Sequence, residues 1–142
     1  MPRKVVVESP KVYSLRNLKQ MDEGHGVPIS MGIKARGTFL FSKQVPVDSK
    51  GNSVGKDDMV VQTRQVLENL KAQVLEAGAT MADVVSVTWY TTRIDDYYRS
   101  TSSRLRKEYF PEPYPTSVVV EVSRLALPEW AVELQAITVV PD

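Results

Sequence analysis

The sequence predicts an α+β fold in which six strands form one sheet and two helices cover one of its faces. Apolar residues recur at three- and four-residue spacing across 59–76, with a second such stripe over 97–110. β-Branched and aromatic runs flank both segments, as strands do. Each helix lies between two of these runs, so each can carry the chain back into the same sheet. The 142 residues fit one domain spanning 1–142, and 42% hydrophobic with 25% charged residues is ordinary globular composition.

The elements follow in order. Lys4 to Glu8 is β-branched, Ser30 to Lys34 alternates, and Thr38 to Ser42 carries aromatic and branched residues, with a hairpin turn expected at Ala35-Arg36-Gly37. Pro10 to Pro28 joins the first two strands; Leu15 and Leu18 within it are compatible with a helical turn or a loop. Asp48 to Asn52 is dense in turn formers. The helix from Met59 to Glu76 has Met59, Val66, Leu67, Leu70 and Val74 on one stripe, Asp57 or Asp58 as its cap and Gly78 for a left-handed turn beyond its end. Val84 to Thr92 is a long central strand with Trp89 and Tyr90 on opposite faces. A second helix runs from a cap at Asp95 or Asp96 to about Phe110, its stripe formed by Tyr98, Leu105 and Tyr109, and Pro111, Pro113 and Pro115 end it. Strands at Ser117 to Val122 and Ala131 to Val140 close the chain. The apolar groups that Trp89, Tyr90 and the run Val118-Val119-Val120 carry on both faces predict that the uncovered sheet face meets neighbouring subunits.

Composition narrows the chemistry. The chain has no Cys and one His, which removes thiolate chemistry and Cys- or His-rich metal sites, so neither metal nor cofactor is expected. With 18 Lys and Arg against 17 Asp and Glu, the net charge of +1 lacks the basic excess of a nucleic-acid binder. No apolar run is long enough to span a bilayer, and the start at Met1-Pro2-Arg3-Lys4 has no signal-peptide core, so a cytoplasmic protein without membrane partners is expected.

Three segments are familiar in order and spacing: Phe41-Ser42-Lys43-Gln44-Val45-Pro46-Val47, Gln62-Thr63-Arg64-Gln65-Val66-Leu67-Glu68-Asn69-Leu70-Lys71, and Val120-Glu121-Val122-Ser123-Arg124-Leu125. Together they resemble the RidA/YjgF family of enamine and imine deaminases, over residues 28 to 140. The segment 1–27 is then an N-terminal strand with a variable loop. The resemblance implies a chorismate-mutase-like fold with a mixed sheet, assembled as a homotrimer, with small-molecule clefts between subunits. It also implies two functional side chains, an arginine that binds the substrate carboxylate and a glutamate on the last strand that positions water.

The glutamate corresponds to Glu133. The arginine position holds Ser117, in Pro115-Thr116-Ser117-Val118, and a hydroxyl cannot replace a bidentate guanidinium. Two further departures accompany it: Lys43 replaces the family's glycine in Ser-Gly-Gln, and Ile29 replaces the tyrosine of Pro-Tyr. Lys43 is therefore the candidate for the lost positive charge, and Tyr90 is a candidate ligand contact on the central strand. Each residue also has a plainer reading: Glu133 and Lys43 as solvated surface charges, Ser117 as a strand opener, Tyr90 as an interface aromatic. Arg124 matches a second family arginine and reads as structural, His25 as a solvated loop residue, and Asp95-Asp96 as helix capping.

The sequence thus points to a hydrolytic deaminase of a small enamine or imine, with an amino-substituted dienoic acid as the candidate substrate. The competing reading is a ligand-binding or regulatory trimer that has lost the chemistry.

Overall fold

The computed structural model describes residues 3–13 and 28–142. The long amphipathic helix forms with the bounds expected of it, α1 (Met59–Glu76). Asp58 caps it by accepting the Val61 N–H at 3.1 Å, and Gly78 takes the left-handed turn beyond it at φ 88°. The hairpin turn also forms where expected, with Arg36 and Gly37 both at positive φ and the Thr38 N–H donating to Ala35.

The strands are β1 (Lys4–Val6), β2 (Gly32–Ala35), β3 (Phe39–Gln44), β4 (Val84–Thr91), β5 (Thr116–Glu121) and β6 (Val132–Val139). They form one mixed sheet in the order β1-β2-β3-β6-β4-β5, parallel only between β4 and β5. The last strand therefore lies at the centre, between the two strands that α1 separates in sequence.

The second helix departs from expectation. It is two helices, α2 (Ile94–Ser100) and α3 (Ser102–Tyr109), broken at Thr101. Buried Thr101 turns its hydroxyl back onto the Tyr97 carbonyl at 2.7 Å, the local competition that makes threonine a poor helix-interior residue. The capping expectation fails as well: Arg93 is the cap, and Asp95 and Asp96 lie in the first turn, where their charge suits the helix dipole and Asp96 pairs with Arg93 at 3.5 Å. Tyr97, not Tyr98, joins Leu105 and Tyr109 on the buried stripe, packing against Trp89 with ring centroids 5.4 Å apart. Tyr98 is exposed.

The core fills the space between the helices and one sheet face. Leu40, Trp89 and Leu134 from the strands meet Val66, Leu67, Leu70, Tyr97 and Leu105. A second cluster, Val12, Tyr13, Met31, Val45, Val47 and Trp130, sits where β3 leaves the sheet and β6 enters it. Buried polar residues of α1 tie that end together. Asn69 donates to the carbonyls of Val45 (3.3 Å) and Val47 (2.9 Å), and Gln73 accepts from Gln44 at 3.0 Å. Gly32 leaves room for this row, since a Cβ there would lie 2.5 Å from the Gln73 amide nitrogen and force that side chain to shift.

Three tyrosines of this packing hold their protons tightly. Burial raises Tyr13 and Tyr97, the latter against the pull of Arg106. Burial likewise pushes Tyr109 up to about 12, helped by its hydrogen bond to Glu68 and opposed by Arg64. A group raised in the folded state contributes stability that is complete below its unfolded value of 10.0 and is lost as pH climbs toward the folded value. The guanidinium unfolding midpoint is expected to fall steadily above pH 10, and Tyr109→Phe to flatten part of that fall.

Candidate functional site

Strand alternation sorts the candidate residues by face. On β6, Val132, Leu134 and Ala136 point into the core, so Glu133, Gln135 and Ile137 occupy the face without helices. On β3, Leu40, Ser42 and Gln44 are buried, which leaves Phe39, Phe41 and Lys43 on that same open face. On β4, Trp89 is fully buried and Tyr90 faces the other way, directly across from Glu133.

Lys43 pairs in register with Gln135, two residues along β6 from Glu133 and on the same face, and its ammonium reaches diagonally to the Glu133 carboxylate at 3.4 Å. The two side chains are 32% and 23% exposed, so the pair is partly desolvated but open on one side to an incoming molecule. Glu133, Lys43 and Tyr90 thus form a cluster on the central strands, bordered by Phe41 on β3 and by Val120, which pairs with Tyr90 from β5. The other two candidates stand apart within one chain. Ser117 pairs with Val87, whose side chain is buried beneath the helices, so it belongs to the opposite sheet face. Ile29 is exposed in the segment leading to β2. Arg124 folds back on its own loop, donating to the carbonyls of Leu125 and Ala126 at 3.1 Å each. His25 and the stretch Leu15 to Gly26 lie outside the described residues.

One residue near this cluster escaped the sequence reading. The Val7 N–H donates to Gly32, extending the pairing past β1, and a turn at Ser9–Val12 then carries Tyr13 into the second cluster. Tyr13 is 2% exposed, its hydroxyl donates to Met31 Sδ at 3.6 Å, and the negative charge of Glu133 is among the influences that raise its pKa, after burial and against a backbone hydrogen bond from Val45. No periodicity surrounds Tyr13 in the sequence, so only tertiary structure reveals it.

A carboxylate that can accept a proton, beside an ammonium that can hold an anion, is equipped for proton transfer on a small carboxylated molecule. Among the described residues no cluster of His, Cys, Asp or Glu could hold a metal ion, and no helix is long and apolar enough to cross a membrane.

Comparison with known proteins places the fold. Residues 26–140 match the family described as Endoribonuclease L-PSP. A RutC family protein of Pyrococcus horikoshii is 43% identical over 111 residues, covering 78% of this chain and 85% of that protein. A 2-iminobutanoate/2-iminopropanoate deaminase of Salmonella typhimurium is 33% identical over 115 residues, covering 79% and 87%. Among solved structures, a conserved Rid-family protein of unknown function from Yersinia pestis superposes with a TM-score of 0.79 at 31% identity, over 96% of this chain and 99% of that one. Escherichia coli TdcF, solved with bound serine, gives 0.75 at 26% identity over 96% and 99%. The mixed six-stranded sheet with its helices on one face is their fold, and the chain belongs to the Endoribonuclease L-PSP family, the family of the RidA/YjgF and RutC proteins.

Proposed function

We propose that the chain is a hydrolytic deaminase that converts a small, carboxylated enamine or imine to a carbonyl compound and ammonia. The observation that carries this reading is the Glu133–Lys43 pair on the open sheet face, 3.4 Å apart and partly desolvated. The deaminase name of the Salmonella relative supports it.

The steps balance without a cofactor. An enamine first takes a proton on carbon to become the imine. Lys43 exchanges its contact with Glu133 for the substrate carboxylate, and the freed Glu133 accepts a proton as water adds to the C=N carbon. That proton passes to nitrogen, the C–N bond breaks, and ammonia leaves as the carbonyl forms. The site is completed by a second subunit of a homotrimer. Phe39, Phe41, Val118, Val120 and Val139 leave the open face apolar and uncovered in one chain, which supports assembly through it. Phe41 beside Lys43 and Val120 beside Tyr90 flank the cluster and favour an unsaturated carbon skeleton, such as an aminodienoic acid, over the smallest imino acids. The protein acts in the cytoplasm, where such intermediates are released.

The neutral Ser117, on the face opposite Glu133, favours a second reading, a trimer that binds carboxylates and turns nothing over. Ammonia release from freshly generated 2-iminopropanoate, 2-iminobutanoate and an aminodienoate separates the two. Turnover is expected, fastest on the aminodienoate, with Lys43→Ala raising KM roughly tenfold by loss of a charge-assisted contact. Thermal stabilisation by carboxylates without ammonia release would favour the binder. Unchanged carboxylate affinity in Lys43→Ala would remove Lys43 from the site.

A further inference from the structure

Tyr13 is a buried donor that the reaction above leaves unused. Its O–H is spent on a thioether, a weak acceptor, at 3.6 Å. The groups around it belong to the site. The Met31 carbonyl accepts the backbone N–H of Lys43 at 3.0 Å, and Val45 follows Gln44, which pairs with Leu134 next to Glu133. Burial, reinforced by the charge of Glu133, keeps the phenol protonated, so it remains a donor at neutral pH.

Substrate changes what Glu133 needs. Among the described residues, Lys43 from β3 lies 3.4 Å from Glu133 and Tyr90 stands opposite it on β4, and the charge of Glu133 also reaches Tyr13 of the N-terminal segment. Once Lys43 turns to a substrate carboxylate, Glu133 is left without a cation at a position where only 23% of its side chain reaches solvent. A carboxylate so placed needs a replacement donor, or it swings away.

Resting on the deaminase reading, we propose that Tyr13 is a positioning residue for Glu133. When substrate draws Lys43 away, the phenol O–H leaves Met31 and donates to the Glu133 carboxylate, holding it toward the water. No covalent bond changes, and a weak hydrogen bond is exchanged for a charge-assisted one.

Two measurements test this on the full chain. In ammonia release from 2-iminobutanoate, Tyr13→Phe is expected to lower kcat about tenfold, the worth of one such hydrogen bond, with KM changed less than twofold. A KM increase at constant kcat would overturn the proposal. The second is a thermal unfolding cycle of Tyr13→Phe, Lys43→Met and the double variant, which needs no substrate because Lys43→Met itself strips Glu133 of its cation. Tyr13→Phe is expected to cost ~3 °C more in the Lys43→Met background than in wild type. That excess should vanish when the cycle is repeated with Glu133→Gln. Equal costs in both backgrounds, or an excess that survives Glu133→Gln, would overturn the role of Tyr13 whether or not any imine is turned over. Absence of ammonia release with the thermal coupling intact would instead count against the deaminase reading alone.

Discussion

Glu133→Gln is expected to cut kcat for ammonia release by 10²-fold or more, the ordinary worth of a positioned proton acceptor being roughly 10²–10⁴. Glutamine has nearly the same shape and keeps the strand position opposite Tyr90, but its amide cannot take a proton from water. The substitution also frees Lys43 from its partner at 3.4 Å, so carboxylate substrates meet an uncommitted ammonium. KM is therefore expected to stay level or fall while kcat collapses, a split that general damage to the fold would not give. The pair is partly solvated and such pairs contribute at most about 1 kcal/mol, so the unfolding midpoint should barely move. Steady-state kinetics beside thermal unfolding on one preparation reads all three quantities, and full turnover in Glu133→Gln would end the case for this carboxylate as the base.

How much of this was legible in the chain depended on whether local pattern and tertiary context agree. The α1 helix could be read to its last residue because spacing, cap and terminal glycine all favour the same bounds. The break at Thr101 could not, since it depends on a hydroxyl that competes for the Tyr97 carbonyl inside an otherwise helical run. Tyr97 and Tyr98 are both aromatic, and periodicity alone cannot decide which of two adjacent residues meets Trp89. At the site, alternation along β3 and β6 is enough to bring Lys43 and Glu133 to one face. Their diagonal contact needs the register, in which Lys43 pairs with Gln135 and β6 is inserted between strands distant in sequence. Tyr13 was illegible because its only tie to Glu133 is through space.

The largest loss of stability is expected from a polar residue that the apolar stripe of α1 skips over. Gln62 is fully buried and makes three hydrogen bonds to backbone: its amide nitrogen donates to the carbonyls of Gly55 (3.1 Å) and Glu129 (2.8 Å), and its oxygen accepts the Ala131 N–H at 2.7 Å. These groups lie on two loops, one before α1 and one before β6, which the single side chain ties together. Gln62→Met keeps the volume and the helix propensity, so neither a cavity nor a propensity change contributes much. It leaves the Glu129 carbonyl and the Ala131 N–H without this partner, while the Gly55 carbonyl keeps the Asp58 N–H at 2.8 Å. At about 1–3 kcal/mol for each group stranded, a loss of roughly 2 kcal/mol or more is expected in urea unfolding. Exposed Glu76→Gln, on the same helix, should stay within about 0.5 kcal/mol. The effect should also reach the chemistry, because Ala131 stands two residues before Glu133, and loosening the start of β6 frees that carboxylate from Lys43. Ammonia release by Gln62→Met, assayed well below its unfolding midpoint, is therefore expected to fall in kcat as well. Wild-type turnover at such a temperature would mean that the β4 and β3 ladders hold Glu133 without help from the helix.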